Sequence, residues 1–367
     1  MFFEKVELRD FRLYHRLEVE FQARVNAITG PNASGKTTIL ESLGVLATGR
    51  SIRGAADAEM VRRGCGGYRV TGRATGARGS HSLTVSYASG DGAAGPRKSA
   101  LVDGKEVASV SEFAGTVPLI SFSPDDLALV KSGPVERRRF LDFLTCQTAP
   151  SHRDRLSAYQ RALVQRNALL ADLGARRVTA AAATALLEPW DEAVRSESAR
   201  VQAARSRTVE GIVPGAREAF RGIDGRNLGL VYAPDEFDPG RAVDELRRGV
   251  TVSGAHRDEL LVTIDGEEAR RYASQGQQRS AVLALKLAAL DYLERSLGET
   301  PVLLLDDVMS ELDPGRASAL LPLFGRGQVL VTSADRVGLE SLLGSGAAPG
   351  VVEAWFVAGD GGVVSRV

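Results

Sequence analysis

Hydrophobic and polar residues alternate at the start of the chain. Val6 and Leu8, then Leu17, Val19 and Phe21, keep a two-residue period on either side of Phe11-Arg12-Leu13-Tyr14. That period predicts a β-hairpin. Val25, Ala27 and Ile28 make a short apolar strand, and Thr38-Ile39-Leu40-Glu41-Ser42-Leu43 reads as the start of a helix. Residues 68–107 return to β: Leu83, Val85 and Tyr87 alternate, residues 89–96 break the run, and Val102-Asp103-Gly104-Lys105 reads as a tight turn. Ser123-Pro124-Asp125-Asp126 then looks like a helix start, with acids near the positive dipole end.

From Val135 to about Phe220 the period is helical. Leu156, Tyr159, Leu163 and Leu170 fall near one face, Gly174 interrupts, and Pro189 fits the first turn of a long helix through Val194, Val201 and Val209. No heptad is sustained, so a helical lobe is expected and not a long coiled coil. Strands return around 228–231 and 251–264, and Val302-Leu303-Leu304-Leu305 and Gln328-Val329-Leu330-Val331 have the composition of buried parallel strands. The pattern predicts an α/β domain split in sequence by a helical insertion: residues 1–122, an inserted lobe at 123–225, and residues 226–367.

Composition adds bounds. A length of 367 residues favours two lobes. At 44% hydrophobic and 25% charged the chain is of ordinary globular make-up, and no run approaches a membrane span. Glu4 comes too early for a signal peptide, so a cytoplasmic location with no membrane partner is expected. Two distant cysteines and four scattered histidines suggest neither a disulfide framework nor a zinc site. Formal net charge is zero, so any DNA contact must come from a local patch. Residues 131–210 hold fourteen Lys/Arg against nine Asp/Glu. Arg137, Arg138, Arg139, Arg161 and Arg166 are the candidate phosphate contacts there, set against a plain solvated helical face.

The chemistry centres on Gly30-Pro31-Asn32-Ala33-Ser34-Gly35-Lys36-Thr37, which fits G-x-x-x-x-G-K-[ST] between a strand and a helix. Glycines let backbone N–H groups approach phosphates, Lys36 would reach the β- and γ-phosphates, and Thr37 would ligate Mg²⁺. Thr38 and Arg12 are further candidates for ATP contact. Asp306 and Asp307 end the apolar strand; Asp306 is assigned the Mg²⁺ and Asp307 the attacking water. Glutamate is commonest at the second position. Aspartate is one methylene shorter, and a misplacement of about 1 Å costs on the order of a hundredfold, so slow hydrolysis is expected. Ser274-Gln275-Gly276-Gln277 opens a leucine- and alanine-rich helix, and Ser310-Glu311-Leu312-Asp313 follows the acidic pair.

In that order, these motifs resemble the ABC-type ATPase head shared by ABC transporters and SMC proteins. The resemblance implies a mixed sheet with an antiparallel β subdomain. It assigns a γ-phosphate contact in trans to Ser274 and Gly276, flanked by Gln275 and Gln277, and a dimer-interface loop to Ser310 and Asp313. More narrowly, the chain resembles the RecF family of bacterial recombination-repair ATPases. That match runs through residues 26–32, Ser51-Ile52-Arg53, residues 122–126 and 137–142, 165–170, His256-Arg257-Asp258, 274–279 and 304–313. It implies ATP-dependent homodimerisation, binding to duplex and gapped DNA, and cooperation with RecR in loading RecA. It also implies a part in the SOS response.

Some positions depart. Ala255 stands where Pro is expected, and no switch histidine follows the strand at Thr332-Ser333-Ala334-Asp335, leaving Thr332 or Ser333 as phosphate sensors. No glutamine is assignable to Mg²⁺, since Gln147 lies inside the lobe. The alternatives are a transporter nucleotide-binding subunit, an SMC-like structural ATPase and a nucleotide-binding module without hydrolysis.

Overall fold

Strand-forming periodicity at the N-terminus builds one side of the first of two compact units, Met1–Asp126 with Ala289–Val367. The computed structural model describes every residue except 78, 91–94, 108–112, 114, 177, 347–351, 359–363 and 367. The break expected at 89–96 therefore lies in part outside the described residues. Strands β1 (Phe2–Phe11), β2 (Tyr14–Glu20), β4 (Gly67–Gly76), β5 (Gly79–Ala88), β6 (Arg97–Val102) and β7 (Lys105–Glu106) form an antiparallel sheet in the order β2-β1-β4-β5-β6-β7. Val6, Leu8, Val70, Leu83 and Val85 fill its packed face, and residues of opposite parity face outward.

A second, mixed sheet has the order β15-β14-β3-β13-β12-β8. It contains β3 (Val25–Thr29), β8 (Leu119–Phe122), β12 (Val302–Asp306), β13 (Val329–Ser333), β14 (Val352–Ala358) and β15 (Val364–Arg366). All neighbours are parallel except the β14–β15 pair at the edge. Helix α1 (Lys36–Thr48) packs against strands of both sheets. It is buried on nearly every side, Leu40, Leu43, Val45 and Leu46 being almost wholly covered. That position suits a helix with no polar face.

The second unit, Leu127–Ala288, is a helical lobe with its own small sheet. Helices α2 (Pro134–Thr148), α3 (Ser151–Ala175) and α4 (Ala180–Asp224) carry it. Three expectations need correction here. Pro189 does not open a helix but sits exposed inside α4, which starts after Thr179, whose hydroxyl accepts from the Ala182 amide. Ala183, Leu187, Val194, Val201, Ile212 and Phe220 bury one continuous stripe, and that burial outweighs the roughly 3 kcal/mol cost of an interior proline. Residues 226–288, expected with the nucleotide-binding part, belong to this unit, because β9 (Leu228–Ala233), β10 (Glu259–Ile264) and β11 (Glu267–Glu268) pair only among themselves. The strand expected across 251–264 is confined to β10. Ahead of it Gly254, at φ 120°, opens a turn at Ala255–Arg257.

Buried ion pairs tie the lobe together. Arg205, on α4, donates twice to Asp142 at 2.8 and 2.8 Å and once to Asp258 at 2.7 Å. Burial works against the Asp142 carboxylate, but hydrogen bonds from His152 and Arg205 outweigh it and hold its pKa below the ordinary value. Removing one partner of such a pair strands the other's charge, at about 3–5 kcal/mol. Arg205→Met is expected to lose about that much stability, read as a lowered urea midpoint; a loss well under 1 kcal/mol would show that the hub does not hold the lobe.

Candidate active site

Parallel register brings the chemistry to one edge of the mixed sheet. Asp306 pairs with Thr332, and Thr332 with Ile28, so β12, β13 and β3 end level. Loops at the carboxyl ends of parallel strands are where such sheets bind ligands. An open cavity of about 1160 Å³ lies there, lined by Asn32 to Thr38, Asp306, Asp307 and Ala334.

The loop after β3 needs its glycines. Gly35 has φ 102°, and a Cβ there would meet the Tyr14 hydroxyl at 2.3 Å. Gly30, at φ 152°, would set a Cβ 2.2 Å from the Ala358 carbonyl oxygen. Lys36 is buried, its Nζ donating to the carbonyls of Gly30 at 2.8 Å and Pro31 at 3.0 Å. The Ser34 and Tyr14 hydroxyls are buried with no hydrogen-bond partner among the described residues. Burial alone raises the Tyr14 phenol to about 12, so it stays a neutral donor. A loop with an orphaned hydroxyl, a lysine resting on carbonyls and a helix N-terminus behind it fits a polyphosphate.

The two strand ends are joined by hydroxyls. Thr37 Oγ1 and Thr332 Oγ1 each donate to Asp306 Oδ1 at 2.8 Å. Burial raises the Asp306 pKa, and the two hydroxyls pull it back without cancelling the shift. Thr332 also accepts the Asp307 amide at 2.9 Å. Asp307 has φ 50°, a left-handed conformation that aspartate tolerates better than most residues. Among the described residues no cluster of three His, Cys, Asp or Glu could hold a metal. One carboxylate and one hydroxyl fit Mg²⁺ of the kind that completes its shell with phosphates and water.

Arg12 lines the cavity from the turn between β1 and β2. Its guanidinium is held by Glu41 of α1, at 2.9 Å from Nε and 2.8 Å from Nη2, and by the Glu59 carbonyl at 2.8 Å. Arg53, Arg62 and Arg63 line it too. Reading along the chain missed these three as site residues, although Arg53 lies in one of the matching stretches. Ser123 and Asp125, after β8, reach the same cavity where no glutamine was found. Neither expected sensor hydroxyl is free: Thr332 is wholly buried on Asp306, and Ser333 donates to the Asp335 carbonyl at 2.9 Å.

Other candidates are not among the residues that line this cavity. Ser274 and Gln277 cap the helix α5 (Gln275–Leu297) reciprocally, at 2.8 and 3.2 Å, a capping box on an exposed surface with Gln275 and Gly276 between them. Asp313 caps a short helix by accepting the Arg316 amide at 3.0 Å. Ser310 lies in another short helix, and its side chain is outside the described residues.

Two of the arginines proposed to touch DNA are corrected. Arg166 is wholly buried on Asp191, Glu245 and Thr251 at 2.7, 2.7 and 2.8 Å, and Arg137 is buried on Glu259 at 2.6 and 2.8 Å. Their charges are spent inside the lobe. Arg138, half-buried, donates to the Asp258 carbonyl at 2.8 Å; Arg139 and Arg161 are exposed.

A family model described as an AAA domain matches residues 5–89. The chain is 38% identical over 336 residues to the DNA replication and repair protein RecF of Heliobacterium modesticaldum, covering 87% of this chain and 88% of that one. It is similar to a solved structure of the recombination mediator protein RecF-ATP in the RecFOR pathway, with TM-score 0.86 and 28% identity, over 100% of this chain and 97% of that one. A likeness of fold alone extends to the Smc head domain of Pyrococcus furiosus, with TM-score 0.54 and 16% identity over 100% of this chain and 96% of that one. The fold is that of an ABC-type ATPase head with a helical insertion.

The raised Asp306 pKa has a stability consequence. The folded state keeps this proton to higher pH than the unfolded chain, whose value is near 3.8, so stability falls as pH rises through the raised value. Asp306→Asn, which can still accept both hydroxyls, is expected to melt at the same temperature as the parent or higher at pH 7. The gap should close below the ordinary carboxylate range, and Mg²⁺-dependent nucleotide binding should be lost. A lower melting temperature at neutral pH would contradict this reading.

Proposed function

We propose that this chain, which belongs to the RecF family of DNA replication and repair proteins, is an ATP-gated DNA clamp. The observation that carries the proposal is the level ending of three adjacent parallel strands, which places Lys36, Thr37, Asp306 and Asp307 around one cavity. Thr37 and Asp306 would hold Mg²⁺, which supplies positive charge to the phosphates when bound. Lys36 moves from the Gly30 and Pro31 carbonyls to the phosphates. Residues 30–35, with Lys36, Thr37 and Thr38, provide backbone donors at the start of α1. Arg12, fixed by Glu41, adds charge at the mouth. Asp307 orients the attacking water and takes its proton. Its short side chain makes turnover slow, so hydrolysis acts as a timer.

Dimerisation on ATP is the second part of the reading. The exposed corner at Ser274, Gln275, Gly276 and Gln277 meets nucleotide held by a second copy, with Ser310 and Asp313 at the seam. Two copies closed on ATP grip duplex DNA, and gapped DNA with its single-strand junction is the working substrate. In the cell this clamp acts in the cytoplasm with RecR to load RecA at gaps and supports the SOS response. Among the described residues no helix is long and apolar enough to cross a membrane.

Light scattering with no nucleotide, ADP or ATP, repeated with gapped duplex, tests the proposal. The mass should double with ATP alone, and Lys36→Ala should lose nucleotide binding, dimers and DNA affinity together. Binding of that variant to duplex DNA at the parent's affinity would sink the gating idea. Asp307→Asn should abolish phosphate release while the ATP-driven dimer persists. Steady turnover by the parent at tens per second would contradict the timer.

A further inference from the structure

We infer that the outward face of the antiparallel sheet is a docking strip for the phosphate backbone of duplex DNA, centred on Arg9, Arg16 and Arg69. The inference rests on the DNA-binding reading above and gives it a surface. Register sets Arg16 of β2 opposite Arg9 of β1, and Arg9 opposite Arg69 of β4. All three side chains are exposed. Side chains directly opposite on one face stand about 4.5–5.5 Å apart at Cβ, so three guanidinium groups lie in a line across adjacent strands.

Such a line works against folding. Like charges directly opposite destabilise a sheet. The next outward row shows the usual remedy: Glu7 and Glu18, also opposite each other, are bridged by Lys5 at 3.0 and 2.6 Å. That bridge commits Glu7 and Glu18, and Asp10, which borders the groove, is held by His15 at 2.7 Å. Among the described residues, none of Arg9, Arg16 and Arg69 forms an ion pair, nor does exposed Arg97 of β6, which borders the same shallow groove of about 300 Å³. A row of arginines with no acid at ion-pair distance, Glu18 acting on Arg16 only from further off, suits an external polyanion.

The shape of the surface names the occupant. The row continues away from Arg69 as Ser86 and Ser99, whose hydroxyls are 2.8 Å apart, so no bulk holds a rigid rod off the sheet. The three arginine strands span roughly 10 Å, over which a duplex presents about six backbone charges. Single strands are gripped largely by stacking. Here the nearby rings of Tyr68 and Tyr87 stack on each other, centroids 5.9 Å apart, and follow the parity of the packed residues Val70 and Val85. Both rings border the groove, but Tyr68 is buried and Tyr87 is stacked on it, while the outward row itself carries guanidinium groups and hydroxyls, which suit a backbone.

The test is the double variant Arg9→Gln/Arg69→Gln, assayed with ATP by fluorescence anisotropy on a duplex across a salt series. Each phosphate contact contributes about 0.9 to the log–log salt slope, so the slope should fall by about 2. The ATP-driven dimer mass should be unchanged, and the melting temperature unchanged or higher, because relieving the row removes repulsion. A parental slope overturns the strip and leaves DNA binding standing. Loss of the dimer would assign the row to contact between copies, and a lower melting temperature would assign it to structure; either overturns the inference. A greater loss on a single strand of the same length overturns the duplex assignment. If the parent gains no DNA affinity with ATP, it is the clamp reading that fails, a result distinct from all of these.

Discussion

The flush ending of three parallel strands is the constraint on which the site depends. Thr37 reaches Asp306 from the first turn of α1, which follows one strand, and Thr332 reaches the same carboxylate oxygen from another strand. The side-chain period of a strand is two, so a one-residue slip of β12 against β13 would turn Asp306 to the other face and break both bonds. Register here is held by continuous burial: Leu303, Leu304 and Leu305 lie beside Val329, Leu330 and Val331, all nearly or wholly covered. The apolar run that forms the strand is thus also what aims the carboxylate at its end.

Buried charge serves opposite ends in the two units. In the nucleotide-binding unit it is left in tension. Lys36 rests on two carbonyls, Ser34 has an orphaned hydroxyl, and Asp306 pays for its burial with a raised pKa. In the helical lobe Arg205, Arg166 and Arg137 each sit on carboxylates at hydrogen-bond distance. A buried ion whose strong partners are all present has no need of a ligand. One placed near weak partners binds a stronger one when it arrives. This difference, more than the number of arginines, separates architecture from function.

The same difference explains what could be read along the chain. The phosphate loop, the acidic strand end and the capped corner at Ser274 are contiguous, and each carries its own mechanism. The strands that hold them show their burial as unbroken apolar runs. Arg62 and Arg63 had no such signal, because their place at the cavity comes from long-range packing of a loop. Arg166 looked like a surface cation because its partners lie 25 and 79 positions away, at Asp191 and Glu245. Pro189 looked like a start because its local cost is plain, while the stripe that outweighs it is spread over the whole of α4. The division at 226–288 was hidden for a related reason: a strand's sequence shows that it pairs, but not with which sheet.

Asp307 joins these threads. The chain leaves β12 through a left-handed residue before the next helix, with φ 50° at Asp307 itself. Leaving the right-handed region costs a typical side chain roughly 1–2 kcal/mol, and less for aspartate, whose short polar side chain can bond locally. A glutamate would carry its carboxylate further forward but give up part of that advantage. The shorter acid therefore suits the turn that Thr332 fixes by accepting the Asp307 amide. In this chain, the short acid at this position lets the strand end, the turn and the second hydroxyl contact coexist.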